Sequence, residues 1–487
     1  MKRGWMGLAL GVALLAGLLA FRAARYGRHD ARPDIGIGLK PAFDQGALAQ
    51  RLAGALRIPT VSDAETPTRN DDNLRALRAY LANTYPLVHA RLGCEVIAGN
   101  SLLFTWRGSD PALAPAALLA HLDVVPAETD AWRVPPFEGR IQDGFIWGRG
   151  SLDDKVAVLG ILEAATALLQ QDFRPRRTLI FAFGQDEETG GHAGAAALAA
   201  LLKSRGVKLD SVLDEGEVVG EGLVPGVTKP VAFIGTAEKG YLSLGLRATG
   251  PGGHSSMPGG ADATVHLLRA LAKLEARPFP ARFTEPVDGM FRALAPEMGP
   301  IQRLALANRW LSGPLLEHQL AASPATNALL RTTMSVTRLE AGIRDNVIPG
   351  EAQALVNLRL LPGDTVVSAT ARVRQGIDDP AVSITPDAAS ALEASSVSPS
   401  EDPAFRAIAS AIHAAFPDAL VAPSLVLGGT DSAHYGALAR TTYRFLPVRV
   451  GPEDLERFHG RDERLAVKNY AEAVRFYAAY LQTAGAP

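Results

Sequence analysis

Short apolar runs alternate with longer Ala/Leu-rich runs in the first half of this chain, and this alternation limits the possible folds more than any other feature. Apolar runs of strand length cover 116–125, 177–184 and 209–215. Ala/Leu-rich runs of helical length, 156–171 and 191–205, lie between them. Strands that alternate with helices form a sheet covered on both faces. The sequence therefore predicts an α/β fold.

The pattern changes at Gly240, where strand-like runs follow one another more closely. The order becomes strand, helix, strand, strand, helix, strand, with the helices near 263–276 and 365–376 and the last strand near Val382. This order resembles a ferredoxin-like module. After about Glu393 the α/β pattern resumes and ends in a helix at about 463–479. The module is therefore predicted to be inserted into the α/β domain.

Four regions follow from this pattern. We predict an N-terminal segment and linker (1–40), a first part of the α/β domain (41–239), an inserted domain (240–392) and a second part of the α/β domain (393–487). A chain of 487 residues is longer than one hydrophobic core usually supports, which agrees with more than one domain.

Charge and cysteine content exclude two classes of site. The 49 Lys and Arg residues nearly balance the 51 Asp and Glu residues, so no basic field exists to hold a nucleic acid, and we expect no such partner. Cys94 is the single cysteine, which excludes an intramolecular disulfide and a thiolate zinc cluster. Any metal must therefore be bound by His and carboxylate side chains.

An uncharged apolar run at residues 5–21 is at the short end of what spans a bilayer. Basic residues flank it on both sides: Lys2 and Arg3 before it, and Arg22, Arg25 and Arg28 after it. Because no clear cleavage motif flanks the run, the favoured interpretation is an uncleaved signal-anchor, with a cleaved signal peptide and a buried helix as alternatives. We expect the body of the chain to lie outside the cytoplasm, anchored to a membrane or secreted.

Acidic residues and a histidine stand where the predicted strands end. They are His121 and Asp123, Asp153 and Asp154 in a following loop, Asp186, Glu187 and Glu188, and Asp214 and Glu215. Ligands of open α/β sheets bind outside the carboxyl ends of the strands. So many carboxylates at one edge would repel one another strongly unless cations neutralised them. The sequence therefore predicts a divalent metal site, and the donor types suit zinc.

Two short motifs indicate how the roles divide. His121 and Asp123 are two positions apart on one predicted strand, so Asp123 can accept a hydrogen bond from the ring nitrogen that does not bind metal. Glu187 and Glu188 are neighbours and point apart, so one can bind metal while the other acts as a general base. Each motif alone is more common on an ordinary surface. Their coincidence at strand ends is what indicates a site.

Motifs of other enzyme classes are missing from the sequence. No H-E-x-x-H, G-x-S-x-G or G-x-x-x-x-G-K-[ST] occurs. The sequence therefore lacks the motifs by which zincin proteases, serine α/β-hydrolases and P-loop nucleotide-binding proteins are usually identified.

The chain resembles the M20 family of dizinc metallopeptidases and amidohydrolases. The matching stretches follow the family's order and are HLDVVP (121–126), GRGSLDDK (148–155), GQDEETGG (184–191), VLDEG (212–216), GPGGHSSMP (250–258), DNVIPGEAQALVNLRLLPGDT (345–365), GGTDSAHY (428–435) and RFHGRDERL (457–465). The stretch at 323–342 is most similar to the carboxypeptidase S and N-fatty-acyl-amino-acid synthase/hydrolase group. The resemblance implies a catalytic domain with a mixed sheet covered by helices and an inserted ferredoxin-like lid or dimerisation domain.

The resemblance also implies two zinc ions per chain. Asp153 matches the bridging carboxylate, because the family's aspartate lies two positions before the lysine of the DDK motif. His121 and Asp214 would complete one zinc site, and Glu188 and His459 the other. In the same way Glu187 is implied as the general base and Asp123 as the residue that orients His121.

Substrate contacts are implied in the lid and in one turn of the catalytic domain. His254 matches a histidine that stabilises the oxyanion, which dimeric members supply from the opposite subunit. Other residues match positions that hold the substrate's carboxylate end: Asn346, Arg359, Gly428, Gly429 and Thr430. The implied activity is hydrolysis of amide bonds in peptides or N-acyl amino acids with a free carboxylate, and a homodimer through the lid is possible. The rival hypothesis is a catalytically inactive binding protein of the same fold.

One lid segment, 298–320, exceeds what a ferredoxin-like module requires. Apolar residues recur in it at helical spacing: Met298, Ile301, Leu304, Leu306, Trp310, Leu311 and Leu315. We expect this face either to pack on the lid or close the site, or to line an apolar channel for an acyl chain or bulky side chain.

Overall fold

The computed structural model describes residues 2–27, 37–63, 70–260 and 262–486. The α-helices of these ranges are α1 (Lys2–Arg25), α2 (Gln45–Leu56), α3 (Asp71–Thr84), α4 (Pro86–Arg91), α5 (Lys155–Gln170), α6 (Ala195–Ser204), α7 (Ala263–Glu275), α8 (Glu285–Leu294), α9 (Pro300–Ala307), α10 (Arg309–Ala321), α11 (Pro324–Leu330), α12 (Val366–Ile377), α13 (Pro403–Ala415) and α14 (Val467–Ala484). The predicted linker falls mainly on 28–36, outside the described residues.

The strands of the same ranges are β1 (Gly93–Ile97), β2 (Ser101–Trp106), β3 (Ala116–His121), β4 (Arg140–Gln142), β5 (Phe145–Trp147), β6 (Leu179–Gly184), β7 (Leu209–Asp214), β8 (Val219–Gly220), β9 (Val231–Glu238), β10 (Gly240–Thr249), β11 (Gly253–His254), β12 (Thr333–Ala341), β13 (Val347–Ile348), β14 (Glu351–Leu360), β15 (Val382–Pro386), β16 (Leu420–Val426), β17 (Ala439–Arg444), β18 (Arg449–Val450) and β19 (Arg464–Ala466).

A ten-stranded sheet in the described part of the chain carries the strand ends singled out by the sequence. Its order is β1-β2-β6-β3-β7-β17-β9-β8-β18, with β16 also paired to β9. The central pairs β6–β3, β3–β7 and β7–β17 are parallel, whereas the pairs β1–β2, β2–β6 and β17–β9 are antiparallel. The sheet is therefore mixed, as expected. Because the central strands are parallel, the ends of β3, β6 and β7 meet at one edge.

Helices cover both faces of this sheet, which explains why its central strands are apolar throughout. On one face, α2, α5, α13 and α14 form a large core with the sheet. On the other face, α6 packs on β2, β3, β6 and β7 through Leu198 and Leu202. Every residue of β3 and β6 is buried. Strands buried on both faces read as continuous apolar runs, which is the pattern that the sequence shows.

A second sheet of four antiparallel strands lies between residues 240 and 386, and we call it the lid sheet. Its order, β12-β14-β10-β15, with α7 and α12 packed on one face, is that of a ferredoxin-like module. The apolar side chains of β10 and β14, such as Leu244 and Leu358, are buried against these helices. The predicted lid fold is therefore confirmed, whereas its boundaries at 240 and 392 and its use in a homodimer stay predictions.

The N-terminal helix α1 covers Lys2–Arg25 and therefore extends beyond both ends of the apolar run at 5–21. No helix in the described ranges has the length and apolarity that a membrane crossing requires. The predicted signal-anchor is therefore not supported, and the location of the body outside the cytoplasm stays a prediction.

The lid segment at 298–320 forms two helices instead of one apolar face, because the chain breaks at Asn308 between α9 and α10. Leu306 is buried, but Ile301, Trp310, Leu311 and Leu315 are exposed. Most of the predicted face therefore neither packs on the lid nor lines an enclosed channel.

Candidate active site

Four side chains meet at one edge of the large sheet: His121 at the end of β3, Asp153 and His459 from two loops, and Glu188 from the turn after β6. His121 Nε2 lies 2.9 Å from Asp153 Oδ1. His459 Nε2 lies 3.0 Å from the other oxygen of Asp153 and 3.2 Å from Glu188 Oε2. Residues separated by more than 300 positions in sequence thus converge on Asp153, which lies between the two histidines. This is the arrangement that a bridging carboxylate requires.

At the end of β7, the structure brings Glu215 and not Asp214 to this cluster. Glu215 Oε1 lies 3.4 Å from His121 Nε2. Asp214 instead accepts hydrogen bonds from the backbone N–H of Ser432 at 2.7 Å and of Glu215 at 3.0 Å. Adjacent residues at a strand end point to opposite sides. The predicted ligand Asp214 is therefore turned away from His121, and Glu215 occupies the position expected of it.

Asp123 is fully buried just beyond β3 and contacts both parts of the predicted machinery. His121 Nδ1 lies 3.0 Å from the Asp123 backbone oxygen and 3.3 Å from its carboxylate. The same carboxylate accepts hydrogen bonds from the backbone N–H groups of Glu187 and Glu188 at 3.1 and 3.2 Å, and from Ser62 Oγ at 2.6 Å. Asp123 thus holds the His121 ring and fixes the turn that carries both glutamates.

A buried ion pair holds the loops that carry Asp153 and His459. Arg149 Nη1 lies 2.6 Å from Glu463 Oε2, and Glu463 Oε1 accepts backbone N–H groups from the loop at 150–153. Arg149 Nη2 also donates to the backbone oxygen of His459 at 3.1 Å. A Cβ atom at Gly460 would lie 1.8 Å from Glu456 O, so the residue after His459 must be glycine.

The charges at the cluster fit a binuclear cation site. His121, Asp153 and Glu188 offer ligand atoms within 4.8 Å of one another, and so do His121, Asp154 and Glu215. Burial, followed by repulsion from Asp153, raises the pKa of Glu215 to about 8. Glu188 Oε1 is buried without a hydrogen-bond partner among the described residues. Cations would keep these carboxylates ionised and satisfy this oxygen, and two imidazoles with carboxylates suit zinc.

Glu187 lies beside this cluster without joining the contacts between histidines and carboxylates. Burial, and then the negative charges of Glu215, Asp431 and Glu188, raise the pKa of Glu187 well above its ordinary value. A carboxylate whose environment favours protonation can accept and release a proton near neutral pH. This property agrees with the predicted general base.

Two of the predicted lid residues lie on an exposed hairpin. His254 pairs with Val347 across β11 and β13, and its Nδ1 lies 2.8 Å from Ser256 Oγ. Asn346 accepts a backbone hydrogen bond from Ser255. Both side chains are exposed, and no hydrogen bond or ion pair joins either to the metal-cluster residues in the described ranges. The structure of the single chain therefore leaves their predicted roles as predictions.

Arg359 lies on the face of the lid sheet opposite its helices. Its guanidinium carbon is 4.8 Å from the centre of the Tyr241 ring, its direct neighbour on β10. Asn357 Nδ2 donates to Ser243 Oγ at 3.2 Å on the same two strands. No ion pair of Arg359 is found among the described residues, so its cationic group is free to bind an anion. Burial lowers its pKa, but Arg stays charged.

The predicted turn at Gly428, Gly429 and Thr430 is held against the start of the lid. Thr430 Oγ1 donates to Glu238 Oε2 at 3.1 Å, and the other oxygen of Glu238 pairs with buried Arg444 at 3.0 Å. Gly428 and Gly429 are exposed, and a Cβ atom at either would meet nothing within 4 Å. The turn is thus anchored at Thr430 and open at the glycines.

Sequence reasoning missed several residues that build the site. Glu215 was visible at its strand end, but its register relative to Asp214 was not. Glu463 and Arg149 lie inside matched motifs, RFHGRDERL and GRGSLDDK, and only the fold brings them together. Tyr241 carried no signal beyond its place on a predicted strand.

Comparison with known proteins identifies the class to which this fold and site belong. The model of peptidase family M20/M25/M40 matches residues 117–483. The chain therefore belongs to the M20 family, and the predicted family and hydrolase class are confirmed.

Individual relatives share most of the chain. It is 40% identical over 439 residues to the N-fatty-acyl-amino acid synthase/hydrolase PM20D1 of Xenopus tropicalis, covering 89% of this chain and 85% of that protein. It is 30% identical to carboxypeptidase S of Saccharomyces cerevisiae, covering 91% and 84%. The predicted similarity to these two groups is confirmed.

Solved structures confirm the fold. The M20 family metallo-carboxypeptidase Sso-CP2 of Sulfolobus solfataricus matches with a TM-score of 0.67 and 17% identity, over 90% of this chain and 99% of that one. Human carnosine dipeptidase 1 matches with a TM-score of 0.61 and 19% identity, over 91% and 96%.

Proposed function

We propose that this chain is a dizinc hydrolase of amide bonds in substrates with a free carboxylate. The observation that carries the proposal is the contact of Asp153 with both His121 and His459, at 2.9 and 3.0 Å through its two different oxygens. A carboxylate placed between two imidazoles can bind one cation through each of its oxygens. An ordinary structural ion pair would need only one of the two histidines.

The residues that would hold the two ions follow from the contacts. Asp153 would bind both, His121 and Glu215 would complete one site, and Glu188 and His459 the other. Glu215 replaces Asp214 in this assignment because its carboxylate faces His121. Zinc ions bound here would supply Lewis-acid polarisation of the scissile carbonyl and make a water molecule more acidic.

Glu187 would accept the proton of the attacking water and pass it to the leaving amine. Its raised pKa and its position beside Glu188 suit both steps. Asp123 would keep Glu187 in place through the backbone of the turn and would keep the His121 ring in one orientation. His254 would stabilise negative charge on the carbonyl oxygen, from the lid of the same or of a second chain.

The substrate's carboxylate would be bound by Arg359, with Asn346 and the turn at Gly428, Gly429 and Thr430 near it. A guanidinium group pairs with a carboxylate through two parallel hydrogen bonds. Similarity to an N-fatty-acyl-amino acid synthase/hydrolase and to carboxypeptidase S supports N-acyl amino acids and peptides as the two substrate classes.

The test compares N-acyl amino acids and dipeptides with the same compounds capped as carboxamides. We expect hydrolysis of the free acids, loss of activity after chelation, and recovery on addition of zinc. Capping should lower kcat/KM by at least about tenfold, since an amide cannot form the ion pair with Arg359. Turnover that survives complete metal removal would contradict the proposal, as would equal rates for free and capped substrates.

A further inference from the structure

A cavity of about 410 Å³ lies where the end of α1 meets α8, α9 and α10 of the lid, apart from the histidine–carboxylate cluster. Four arginines line it: Arg22 and Arg25 from α1, Arg292 from α8 and Arg309 from α10. The aromatic rings of Tyr26 and Trp310 form further parts of its wall. None of the proposed zinc ligands or substrate residues belongs to this cavity.

The cavity carries an excess of positive charge. Asp288 is the acidic partner that the structure gives to Arg292, at 2.6 Å, and also to Arg309. Arg22 and Arg25 form no ion pair within the described ranges, and Arg25 lies 5.5 Å from the centre of the Phe21 ring. Two of the four guanidinium groups therefore share one carboxylate, and the other two have no carboxylate partner among the described residues. Cationic groups held together in this way are strongly favoured to bind an anion.

The contact between α1 and the lid shapes the cavity. Asn308, at the break between α9 and α10, donates to the backbone oxygen of Leu19 at 3.2 Å. Gly27 has a φ of 71°, and a Cβ atom there would lie 2.4 Å from Arg292 O. Only glycine permits this close approach, which brings Arg22 and Arg25 towards Arg292 and Arg309.

The helices that form the cavity also carry large exposed apolar side chains. Phe21 of α1 is 58% exposed, and Trp310, Leu311 and Leu315 of α10 are 58–65% exposed. Ile301 of α9 is 81% exposed. An exposed apolar surface of this kind marks an interaction site, and Trp beside Arg is typical of residues that lie at a lipid–water interface.

We propose that this cavity binds the phosphate headgroup of an anionic phospholipid at a bilayer surface. Guanidinium groups pair bidentately with phosphate, and the apolar side chains of α9 and α10 would enter the adjoining acyl region. A free phosphate ion would satisfy the arginines alone. A lipid satisfies the arginines and the exposed apolar side chains together, which is why we assign a bilayer lipid.

The experiment uses the full chain and sedimentation with phosphatidylcholine vesicles that either contain or lack phosphatidylglycerol. The test variant is Arg22→Gln with Arg25→Gln, because these two arginines have no partner carboxylate among the described residues. The matched control is Arg91→Gln with Arg107→Gln, two exposed arginines of the catalytic domain that remove the same charge. Circular dichroism and the hydrolysis rate of a short soluble substrate check that both variants fold.

We expect the wild type to prefer anionic vesicles, and the test variant to lose roughly tenfold in affinity for them while binding to neutral vesicles is unchanged. The control variant should bind as the wild type does. Trp310→Ala should weaken binding to vesicles without changing any effect of inorganic phosphate on the melting temperature.

Several results would overturn the proposal. Equal losses in the test and control variants would show a bulk charge effect. An unchanged preference in the test variant would show that the cavity arginines do not bind the headgroup. Stabilisation by inorganic phosphate without any vesicle binding would assign the cavity to a free anion.

Discussion

The histidine–carboxylate cluster and the predicted substrate-binding residues of the lid differ in how far one chain completes them. In the cluster, His121 is buried and His459 is 55% exposed, and the histidines lie within 3.4 Å of their carboxylate partners because β3 and the loops at one edge of the sheet bring them together. On the lid, His254 and Asn346 are exposed, and Arg359 stacks on Tyr241 and has no ion-pair partner among the described residues. The difference teaches that the fold of one chain assembles the proposed metal ligands by itself. The proposed substrate-binding residues of the lid still lack partners, which a bound substrate would provide.

The largest expected effect is at the bridging carboxylate. Asp153→Ala should lower zinc content at both positions and reduce kcat/KM by more than about 10³-fold, because in the proposed site this residue would bind both ions. His459→Ala is the matched variant and should lower zinc content mainly at one position. Elemental analysis of both purified variants measures this. Two zinc ions per chain in Asp153→Ala would contradict the bridging role.

The next effect separates two neighbouring carboxylates. Glu215→Gln should weaken zinc binding by at least about tenfold, because it removes a negatively charged ligand atom next to His121. Asp214→Asn should leave zinc stoichiometry unchanged, since Asp214 faces backbone N–H groups. Competition with a chelator of known affinity measures both. If Asp214→Asn loses zinc and Glu215→Gln does not, Asp214 is the ligand, as the sequence resemblance implied, and the assignment of Glu215 is wrong.

A smaller effect tests the lid. Tyr241→Leu removes the ring on which Arg359 lies and should raise KM for carboxylate substrates by about fivefold with little change in kcat, because a cation–π contact contributes about 1 kcal/mol. Tyr241→Phe keeps the ring and should behave nearly as the wild type. A fall in kcat with KM unchanged would place Tyr241 in the chemistry and not in substrate binding.

The smallest effect concerns the junction of the two regions. Lys239, between β9 and β10, is buried and donates to Arg331 O at 2.9 Å and Ala328 O at 3.0 Å. Burial, and then the positive charge of Arg359, lower the pKa of Lys239 to about 8. Between pH 8 and about 10.5 the unfolded chain therefore holds a proton that the folded chain has lost, and stability rises with pH.

Urea unfolding measures this contribution. The wild type should gain on the order of 1 kcal/mol over Lys239→Met between pH 8 and pH 10. A wild type that loses stability relative to this variant across that window would contradict the pKa shift.

The sequence predicted the parts of this molecule that follow from periodicity. Apolar runs placed β3, β6 and β7 within a few residues of their ends, and the change of pattern at Gly240 located the lid sheet. The choice between the neighbours Asp214 and Glu215 depends on a single-residue register, and the contacts of the fold favour Glu215 where the sequence pointed to Asp214. The prediction failed at the lid segment, where the break at Asn308 splits one expected apolar face into two helices.

Residues that act through long-range contacts were also beyond sequence reasoning. Glu463 stabilises the Asp153 loop from 310 residues away. Asp123 was predicted to orient His121, but its hold on the turn of Glu187 and Glu188 becomes visible only in the fold. The N-terminal apolar run forms a helix. The membrane anchor predicted from the same run is not supported, because no helix of the described residues is long and apolar enough to cross a membrane.

The central claim is that Glu187 is a base beside a metal site that it does not help to form. The most direct measurement is the turnover and zinc content of Glu187→Gln, which keeps the shape of the side chain and cannot accept a proton. We predict two zinc ions per chain and a 10²–10⁴-fold lower kcat, the range that general base catalysis contributes. Full zinc content with at least half of the wild-type rate would contradict the account.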